Sequence, residues 1–438
     1  MKLPDKPINW KEVFEKESKH VLEVIKEKDL FNQIFEFNKR YLYWSELKYR
    51  LKDNEDMKYI WTFMKILRSE KYEKLKFSSI DLQYSLISDF NKKLHHFDKQ
   101  LAGNIEVQSK SLGLQKRYMI SSLMEEAIAS SIIEGASTTR KVAKSMLREK
   151  RKPKNKSEKM IVNSFETMQY ILDIKDKKIT PELILEVQKK VTRDTLEDSE
   201  DEGNFRDNDD IVVGHNMHPE IIAHIPPDYK KIPDLIKKLC DFANNDSEEF
   251  IHPVIKGVIL HFLIGYIHPF NDGNGRTARS IYYWYMLSQG YWLFEYMSLS
   301  RRIVRSRKEY DLAYLYTEYD EMDLTYFIKY NLKCIAESLD DLMDYVKRKQ
   351  KEQKEIKKII HKFPELNLRQ GMILEDFMRN PNKIFTINEI SETFRVVYQT
   401  ARTDLLLLNN KGFITKKISG RSFVFIYNED NPALSNIK

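Results

Sequence analysis

The sequence predicts a mainly α-helical protein, and three observations support that fold class. Charged residues make up 32% of the 438 residues and only 13 residues are glycine, which is typical of long amphipathic helices. Apolar residues recur at helical spacing along most of the chain. Prolines interrupt these stretches at Pro181, Pro226, Pro227, Pro233 and Pro253, where helices are expected to begin or end. The length allows two or three domains, each with its own core.

Residues 1–100 form the first predicted domain, an N-terminal helical region. They are expected to fold into charged amphipathic helices, with Trp10, Trp44 and Trp61 as core anchors. The pattern indicates no catalytic or binding chemistry in this region. Residues 101–345 form the second predicted domain, and the motifs described next all lie within it.

The most informative segment is 268–279, which reads His-Pro-Phe-Asn-Asp-Gly-Asn-Gly-Arg-Thr-Ala-Arg. It follows an apolar run, 258–267, and precedes an aromatic-rich segment, 280–287, that is predicted to be helical. Glycines let the backbone approach an anion closely, and the next helix offers its N-terminal N–H groups and positive dipole end. We therefore expect a phosphate-binding loop between two buried helices.

The side chains of this loop suggest transfer of a phosphate-containing group. His268 is the only side chain in the loop that titrates near neutrality, so it is the candidate general base. Asp272 offers hard oxygen ligands suited to a Mg²⁺ ion that shares phosphate oxygens, and Asn274 could position a phosphate or the water shell of the metal. Arg276 and Arg279 lie three residues apart on the following helix and could clamp phosphates.

A second segment, 125–140, has helical spacing up to a glycine that can cap the helix, Gly135. Ser130 and Glu134 are four residues apart and therefore share one face of this helix. The helix dipole disfavours a carboxylate near a C-terminus, so Glu134 is expected to pair with a cation.

Between these segments, the stretches 203–214 and 221–227 have a hairpin-like pattern, and Pro226 and Pro227 end the second stretch. His215, His218 and His224 lie close in sequence, but no cysteine or acidic residue accompanies them at zinc-like spacing. Further along, Tyr310 and Tyr314 share a helix face. They are predicted either to flank an adenine ring or to form a buried structural stripe.

The loop at 268–279 resembles the signature of the Fic family, His-x-Phe-x-Asp/Glu-Gly-Asn-Gly-Arg-x-x-Arg, and matches it at every defined position. The resemblance implies an all-helical core that transfers AMP from ATP to a hydroxyl group of a protein and releases pyrophosphate. It also assigns a role to each residue of the loop. His268 would deprotonate the target hydroxyl, Asp272 would hold Mg²⁺, and Phe270 would anchor the loop in the core. An anion hole for the α- and β-phosphates would be formed by Gly273, Asn274 and Gly275. Arg276 would contact the phosphates, and Arg279 would bind the γ-phosphate.

The same resemblance extends to the other two segments. Ser130, Glu134 and Gly135 match the pattern Ser/Thr-x-x-x-Glu-Gly/Asn of the inhibitory helix of Fic proteins. This implies that Glu134 pairs with Arg279 and blocks productive seating of the γ-phosphate. The hairpin-like region at about Ile211–Pro227 is similar to the family's flap, which holds a target peptide over the loop by strand addition.

The last part of the chain changes character. Residues 346–362 are rich in lysine and glutamate and are predicted to form a solvated helical connector. The third predicted domain, 363–430, has helical patterns at 366–379, 386–394 and 398–410, followed by strand patterns at 412–418 and 422–427. Three helices followed by a β-hairpin resemble a winged helix-turn-helix.

In that fold, the third helix would present a recognition face and the hairpin would be the wing. The corresponding residues here are Tyr398, Gln399, Thr400 and Arg402 on the helix, and Lys416, Lys417 and Arg421 on the hairpin. DNA is therefore one candidate partner. Asp404 in the same helix and the small number of basic residues argue against DNA, and such domains also serve as protein-docking or dimerisation surfaces.

Composition limits the cellular setting and the partners. The two cysteines, Cys240 and Cys334, give no sign of a disulfide framework, the N-terminus lacks an apolar signal core, and no segment has the length of a membrane span. We therefore expect a protein of the reducing cytoplasm that has no membrane partner. The net charge of +7 is small for this length and does not by itself indicate nucleic-acid binding.

The sequence favours a self-inhibited protein adenylyltransferase with ATP as co-substrate, Mg²⁺ as cofactor and a protein target docked at the flap. The alternative is a DNA-binding transcriptional regulator whose Fic core acts as a sensor. The complete set of His268, Asp272, Asn274, Arg276 and Arg279 favours the enzyme, because an idle core would need none of them. Removal of AMP from a modified protein is a narrower alternative, and a homodimer remains open.

Overall fold

The computed structural model describes residues 3–24, 26, 28–51, 56–102, 116–215, 218–245, 249–381, 383–419, 422–429 and 431–432. It divides into two compact units, Met1–Leu342 and Met343–Lys438. Helices dominate both units and the strands form only small antiparallel sheets, so the predicted mainly α fold class is confirmed. No helix in the described ranges is both long enough and apolar enough to cross a membrane.

The N-terminal region of the first unit is helical with one exception. Its apolar core surrounds the fully buried Trp61, and the other two predicted anchors, Trp10 and Trp44, pack against this core while remaining partly exposed. The exception is a β-hairpin at Tyr72–Ser85, where the sequence analysis expected only helices. The elements are α1 (Trp10–Val24), α2 (Lys28–Lys39), α3 (Trp44–Leu47), α4 (Met57–Ser69), β1 (Tyr72–Phe77), β2 (Ile80–Ser85) and α5 (Ser88–Leu101).

A buried polar network joins this N-terminal region to the C-terminal part of the first unit. The ammonium group of Lys65 on α4 lies 2.7 Å from a carboxylate oxygen of Asp320, and neither side chain is more than 3% exposed. Tyr41 and Tyr72 both donate hydrogen bonds to the Asp323 carboxylate, at 2.6 and 2.9 Å. Buried charges are tolerated only when they are paired in this way, so the network fixes the N-terminal region against the rest of the unit.

The remaining helices of the first unit build the core around the 268–279 loop. Thr180 caps α9 through its side-chain oxygen, which accepts from the Leu183 N–H, and Pro181 occupies the first turn. The helices are α6 (Lys116–Ile133), α7 (Arg140–Glu149), α8 (Lys156–Ile174), α9 (Pro181–Thr192), α10 (Ile232–Asn244), α11 (Pro253–Ile267), α12 (Asn274–Ser288), α13 (Leu299–Arg305), α14 (Arg307–Tyr319) and α15 (Thr325–Lys362).

The two helices that flank the loop, α11 and α12, pack closely because α11 carries a glycine at their contact. A Cβ atom on Gly257 would lie 2.9 Å from the Met286 sulfur and 3.0 Å from the Tyr285 ring. Almost every residue of α11 is buried, so its position within the unit is fixed by packing on all sides. The end of α11 and the start of α12 therefore form a rigid frame for the loop between them.

The predicted flap is a short antiparallel hairpin, β3 (Val213–His215) and β4 (His218–His224), with irregular register. Its second strand ends at His224, before the two prolines that were expected to terminate it. Its first strand begins ten residues after Gly203, so much of the predicted first stretch, 203–212, is loop.

The second unit contains the end of α15, three further helices and a three-stranded sheet around one apolar core. The predicted connector, 346–362, is the continuation of α15 rather than a separate helix. A two-residue strand, β5, was not predicted and pairs with β7 beside the expected hairpin. The elements are α16 (Leu368–Arg379), β5 (Phe385–Thr386), α17 (Ile387–Phe394), α18 (Tyr398–Asn410), β6 (Ile414–Ser419) and β7 (Ser422–Tyr427). Arg421, predicted to lie on the wing, is outside the described residues.

Candidate active site

Backbone geometry and one side chain hold the 268–279 loop in shape. His268 ends α11 in the left-handed region, with φ of 48°, and its N–H donates to the Ile264 carbonyl at 3.0 Å. The Asn274 side chain bridges the loop, because its oxygen accepts from the Phe270 N–H at 2.9 Å and its nitrogen donates to the Phe270 carbonyl at 2.7 Å. The Asn274 side chain is thus occupied by the loop itself, which leaves the backbone N–H as its contribution to an anion hole.

Gly273 begins α12 with φ of 84°, in the region that favours glycine. A Cβ atom there would lie only 2.5 Å from a methyl carbon of Thr192 on α9. The loop therefore passes so close to α9 that a side chain at this position would force the two apart. No side chain of Gly273 or Gly275 stands in front of the first N–H groups of α12, which carry no partner within their own helix.

His268 is arranged to act as a neutral base. Its Nδ1 atom lies 3.3 Å from the Gly265 carbonyl oxygen, which can only accept a hydrogen bond. The Nδ1 atom therefore carries the hydrogen in the neutral ring, and Nε2 keeps a lone pair. Burial lowers the pKa of His268 to about 4, although the Gly265 carbonyl opposes this shift. The imidazole is thus uncharged at neutral pH.

Glu134 lies immediately after the last residue of α6 and forms an ion pair with Arg279 on α12. The distance from Glu134 Oε1 to Arg279 Nη2 is 2.9 Å. Arg279 also donates from Nε to the Ser130 hydroxyl at 2.9 Å and from Nη2 to the Ser130 carbonyl at 3.0 Å. Burial raises the pKa of Glu134, but the charges of Arg279 and Arg276 outweigh this effect and hold the pKa below its ordinary value. The carboxylate is therefore charged when it contacts Arg279.

The Glu134 carboxylate also fills the space in front of Gly275. A Cβ atom on Gly275 would lie 2.2 Å from Glu134 Oε1 and 3.0 Å from Arg279 Nη1. Only a glycine lets the carboxylate reach this position. The same surface, at the first turn of α12, is where backbone N–H groups would receive a phosphate.

The helix that carries Ser130, α6, is anchored to the core well before Glu134. Glu126 is buried and accepts hydrogen bonds from the Tyr283 hydroxyl at 2.9 Å, the Ser298 hydroxyl at 3.0 Å and the Ser300 N–H at 3.0 Å. At the other end, Arg307 on α14 donates to the Ile133 carbonyl at 2.7 Å and so caps the helix. Both contacts hold α6 against the helices that surround the loop.

A cavity of about 170 Å³ opens above the loop. Six of the residues predicted for the site line it: Glu134, His268, Asn274, Gly275, Arg279 and Tyr310. Tyr310 is also packed and hydrogen-bonded, because its hydroxyl lies 3.1 Å from Nε2 of the buried His261. Tyr310 therefore belongs to a buried aromatic cluster with Tyr314 and also lines the cavity, while its predicted contact with adenine stays a prediction.

Other predicted site residues lie beside the cavity rather than in its wall. Arg276 is almost fully buried, with Nη1 donating to the Val191 carbonyl at 2.7 Å and Nη2 lying 3.7 Å from Asp272. The Asp272 side chain is half exposed at the outer edge of the loop. Gly135 directly follows Glu134, and Ser130, four residues before Glu134, contacts Arg279 as described. Phe270 is buried and stacks on Phe205, with ring centroids 5.5 Å apart.

Several residues that position this site were not predicted from the sequence. Gln188 on α9 donates to the Asp272 carbonyl at 3.2 Å, and Arg206 donates to the His268 carbonyl at 3.0 Å. His224, at the end of the flap, lies 2.7 Å from both the Glu318 carboxylate and the Tyr266 carbonyl. These contacts involve main-chain oxygens or residues far along the chain. Only the dipeptide Phe205-Arg206, an aromatic and a cationic residue in a polar loop, could have signalled its role.

The comparisons with known proteins concern the part of the chain that contains this site. Residues 178–286 match the Fic/DOC family. They include His268, the 268–279 loop and the flap hairpin, so this part of the chain is similar to Fic/DOC domains. The chain is 26% identical over 163 residues to the protein adenylyltransferase Fic of Drosophila willistoni, a match that covers 37% of this chain and 29% of that protein. It is 26% identical over 117 residues to the protein adenylyltransferase Fic of Nematostella vectensis, covering 27% of this chain and 26% of that protein. The matches thus span less than a third of the length of either relative.

Solved structures show the same fold. A Fic family protein from Desulfovibrio desulfuricans G20 superposes with a TM-score of 0.50 at 19% identity, covering 78% of this chain and 96% of that one. A fragment of Fic-1 from C. elegans superposes with a TM-score of 0.51 at 18% identity, covering 75% and 88%. The predicted Fic fold is therefore confirmed.

Proposed function

We propose that this protein is a self-inhibited adenylyltransferase that transfers AMP from ATP to a hydroxyl group of a protein. The observation that carries the proposal is the placement of Glu134, whose carboxylate occupies the phosphate-facing surface at Gly275 while it is paired with Arg279. A self-inhibited enzyme of this kind requires a base and a helix N-terminus that binds phosphate. It also requires an internal anion that competes with the phosphate for that helix N-terminus. The curated relatives that carry the name protein adenylyltransferase Fic support the same activity.

The proposed reaction uses His268 as the general base. Its Nε2 atom takes the proton of the target hydroxyl, and the hydroxyl oxygen forms a bond to the α-phosphorus of ATP. The bond between the α-phosphorus and the bridging oxygen breaks, and pyrophosphate leaves. The N–H groups at the start of α12 stabilise the negative charge on the phosphate oxygens. Tyr310, in the cavity wall, is proposed to contact the adenine.

Mg²⁺ is the cofactor that fits the proposed reaction. Asp272 is suited to hold it, because its half-exposed carboxylate lies at the edge of the loop, beside the start of α12. Mg²⁺ commonly binds through one or two carboxylates and takes its remaining ligands from phosphate and water. When bound, the ion would neutralise phosphate charge and favour departure of pyrophosphate.

Self-inhibition follows from the contacts of Arg279. The guanidinium is almost fully buried and already donates to Glu134 and twice to Ser130. A γ-phosphate can take this arginine only if the Glu134 carboxylate leaves, because two anions cannot share one buried cation at hydrogen-bond distance without strong repulsion. The native protein is therefore expected to bind nucleotide but to transfer AMP slowly.

Glu134→Gly is expected to raise AMP transfer at least about tenfold, equivalent to a shift of about 1.4 kcal/mol in favour of productive binding. The measurement is incorporation of labelled AMP into the chain itself or into lysate proteins with ATP and Mg²⁺. Glu149→Gly is the matched control, because Glu149 is an exposed glutamate at the end of another helix, α7. If Glu134→Gly binds ATP normally and incorporates no label, the adenylylation proposal fails.

The rate of AMP transfer by Glu134→Gly is expected to stay nearly constant between pH 7.5 and pH 5.5. The base must be neutral, and burial lowers the pKa of His268 to about 4, so the active form is lost only as the pH falls towards that value. A histidine with an ordinary pKa of about 6.5 would lose about tenfold in rate at pH 5.5. Initial rates in a pH series on the folded variant test this, and a tenfold decrease at pH 5.5 would contradict it.

The flap is the proposed docking place for the protein target. Ile222 on β4 is half exposed and Ile225, just after the strand, is more than two-thirds exposed. Apolar side chains beside a short strand edge suit an extended peptide that adds as a further strand. Docking at about Ile211–Pro227 would place the target hydroxyl near His268, because the flap residues Val213, Gly214 and Ala223 line the same cavity.

DNA binding by the second unit is a second candidate function, which one observation favours. Asp404 is buried and faces inward, where it accepts hydrogen bonds from Arg369 and Gln370. The carboxylate that argued against DNA is therefore absent from the outer face of α18. No salt bridge within the described part of the unit involves Arg395 at the end of α17, Arg402 in α18, or Lys416 and Lys417 on the hairpin. Exposed cations beside the start of a helix suit phosphate contacts.

A gel shift of the full chain on random duplex DNA at low salt tests this candidate. Lys416→Ala/Lys417→Ala is expected to weaken binding, since each lost phosphate contact lowers the affinity and its salt dependence. Lys411→Ala is the matched control, because Lys411 is already ion-paired with Glu365 at 3.0 Å. If the native chain causes no retardation, the DNA candidate is set aside and the surface is left to a protein partner.

A further inference from the structure

Arg206 is a fully buried arginine that no step of the proposed reaction uses. Its side chain has no solvent exposure, and it follows Phe205, which stacks on Phe270 of the catalytic loop. A buried guanidinium is costly unless its N–H groups find acceptors. The identity of those acceptors shows what the residue does.

One guanidinium N–H group and the backbone N–H of Arg206 both donate to the catalytic loop. The Arg206 Nε donates to the carbonyl oxygen of His268 at 3.0 Å, and its backbone N–H donates to the carbonyl of Pro269 at 2.9 Å. Arg206 therefore holds the main chain of the catalytic base itself. It does so from the side of the flap, 62 residues earlier in the chain.

The other acceptors lie at the two ends of the flap. Nη1 donates to the Asn208 carbonyl at 2.7 Å and to the Asp209 carboxylate at 2.8 Å, where the chain enters the flap. Nη2 donates to the Pro227 carbonyl, where the chain leaves it. Asp209 closes the ring by accepting from the Tyr229 N–H at 2.8 Å. Arg206 and the Tyr229 N–H together hold the pKa of Asp209 below its ordinary value, so the carboxylate stays charged.

We propose that Arg206 is a positioning residue that fixes the base of the flap to the main chain of His268, and so aligns a docked target hydroxyl with the catalytic base. This inference rests on the proposed transfer reaction. The planar guanidinium is suited to this task because its N–H groups point in fixed, separate directions. One edge serves the catalytic loop and the other serves both ends of the flap. A lysine at this place keeps the charge but cannot reach both sets of acceptors.

The test is Arg206→Lys in the Glu134→Gly background. The rate of AMP transfer to protein at saturating ATP is expected to fall about a hundredfold, which is the usual consequence of a misplacement of about 1 Å at a reacting centre. The concentration of ATP that gives the half-maximal rate should change less than about threefold, because Arg206 does not line the cavity. Asp209→Asn, a change at an exposed partner, is expected to lower the rate less and in the same direction.

Arg193→Lys is the matched control, since Arg193 forms an exposed ion pair with Glu166. Deuterium uptake in the otherwise native chain gives a readout that needs no activity. Peptides that cover 207–214 and 266–271 should take up deuterium faster in Arg206→Lys than in the native chain. In Arg193→Lys their rate of uptake should be unchanged. An undiminished transfer rate, unchanged uptake in both peptides, or loss of ATP binding together with transfer would overturn the proposal. Failure of the proposed function is seen separately, as a silent Glu134→Gly parent.

Discussion

His268→Ala in the Glu134→Gly background is expected to reduce AMP transfer by about 10²- to 10⁴-fold, the usual contribution of a general base. Nε2 of His268 is the free lone pair at the cavity, since Nδ1 is directed at the Gly265 carbonyl. Alanine removes that lone pair and adds no bulk, so ATP should bind as before. The measurement is the initial rate of labelled AMP incorporation, with ATP affinity determined in parallel.

The control for this change is His95→Ala, which removes an exposed histidine on α5. It should leave the labelling rate unaltered. If the double variant Glu134→Gly/His268→Ala still labels within tenfold of its parent, another group accepts the proton and the assignment of His268 as the base is wrong.

Lys65→Met is expected to lower the free energy of unfolding by about 3–5 kcal/mol, the cost of removing one partner of a buried ion pair. Methionine fills a similar volume, but it leaves the Asp320 carboxylate, 2.7 Å from the missing ammonium group, buried without its cation. Burial already raises the pKa of Asp320, so this carboxyl is poorly placed to lose its partner. Urea denaturation of the native chain and the variant measures the difference.

Lys11→Met is the matched control, because Lys11 makes an ion pair of similar length, 2.8 Å, with the neighbouring Glu321 but is 60% exposed. Such surface pairs contribute about 0–1 kcal/mol. A second comparison is Lys65→Met/Asp320→Asn, which should recover part of the loss because no buried charge remains. Equal costs for Lys65→Met and Lys11→Met would show that the buried network does not stabilise the unit.

The chemistry of the site could be predicted from sequence because most of it is contiguous. One twelve-residue loop contains the proposed base, the proposed metal ligand and the proposed anion-binding turn, so their proximity needs no knowledge of the fold. The approach of Glu134 to Arg279, 145 residues apart, was predicted only through the family resemblance. Nothing in the local spacing of either residue identifies the other.

The positioning contacts could not be predicted in the same way. Arg206 and Gln188 act on main-chain oxygens, and every residue carries such an oxygen, so the sequence holds no mark of the partner. The Asn274 side chain was expected to position a phosphate or the water shell of a metal, but it forms hydrogen bonds with the backbone of Phe270. Both roles need an amide, and only the geometry of the turn distinguishes them.

Two features of the fold were obscured by charged residues. The hairpin at Tyr72–Ser85 has alternating apolar residues at Ile80, Leu82 and Tyr84, a two-residue period that charged neighbours mask. The region 346–362 was predicted to be a connector because its composition becomes more charged. A helix can pass from buried to solvent-exposed surroundings without a change in its backbone geometry, and α15 continues through this region. A change in composition indicates a change in solvent exposure more reliably than it indicates the end of a helix or strand.

The attachment of α6 determines which motion would open the ion pair between Glu134 and Arg279. Glu126 and Arg307 fasten the helix to its neighbours, whereas Glu134 lies one residue past its end, beside Gly135 with φ of 91°. Withdrawal of the carboxylate therefore needs rotation of one side chain and adjustment of one turn, while the helix stays in place. Such motions occur in nanoseconds to microseconds, far faster than domain rearrangements. The proposed transfer activity of the native chain would then be a low basal rate, set by the fraction of molecules in which the carboxylate is withdrawn. Any ligand that contacts the last turn of the helix could change this fraction. No switch between two different folds of the unit would be needed.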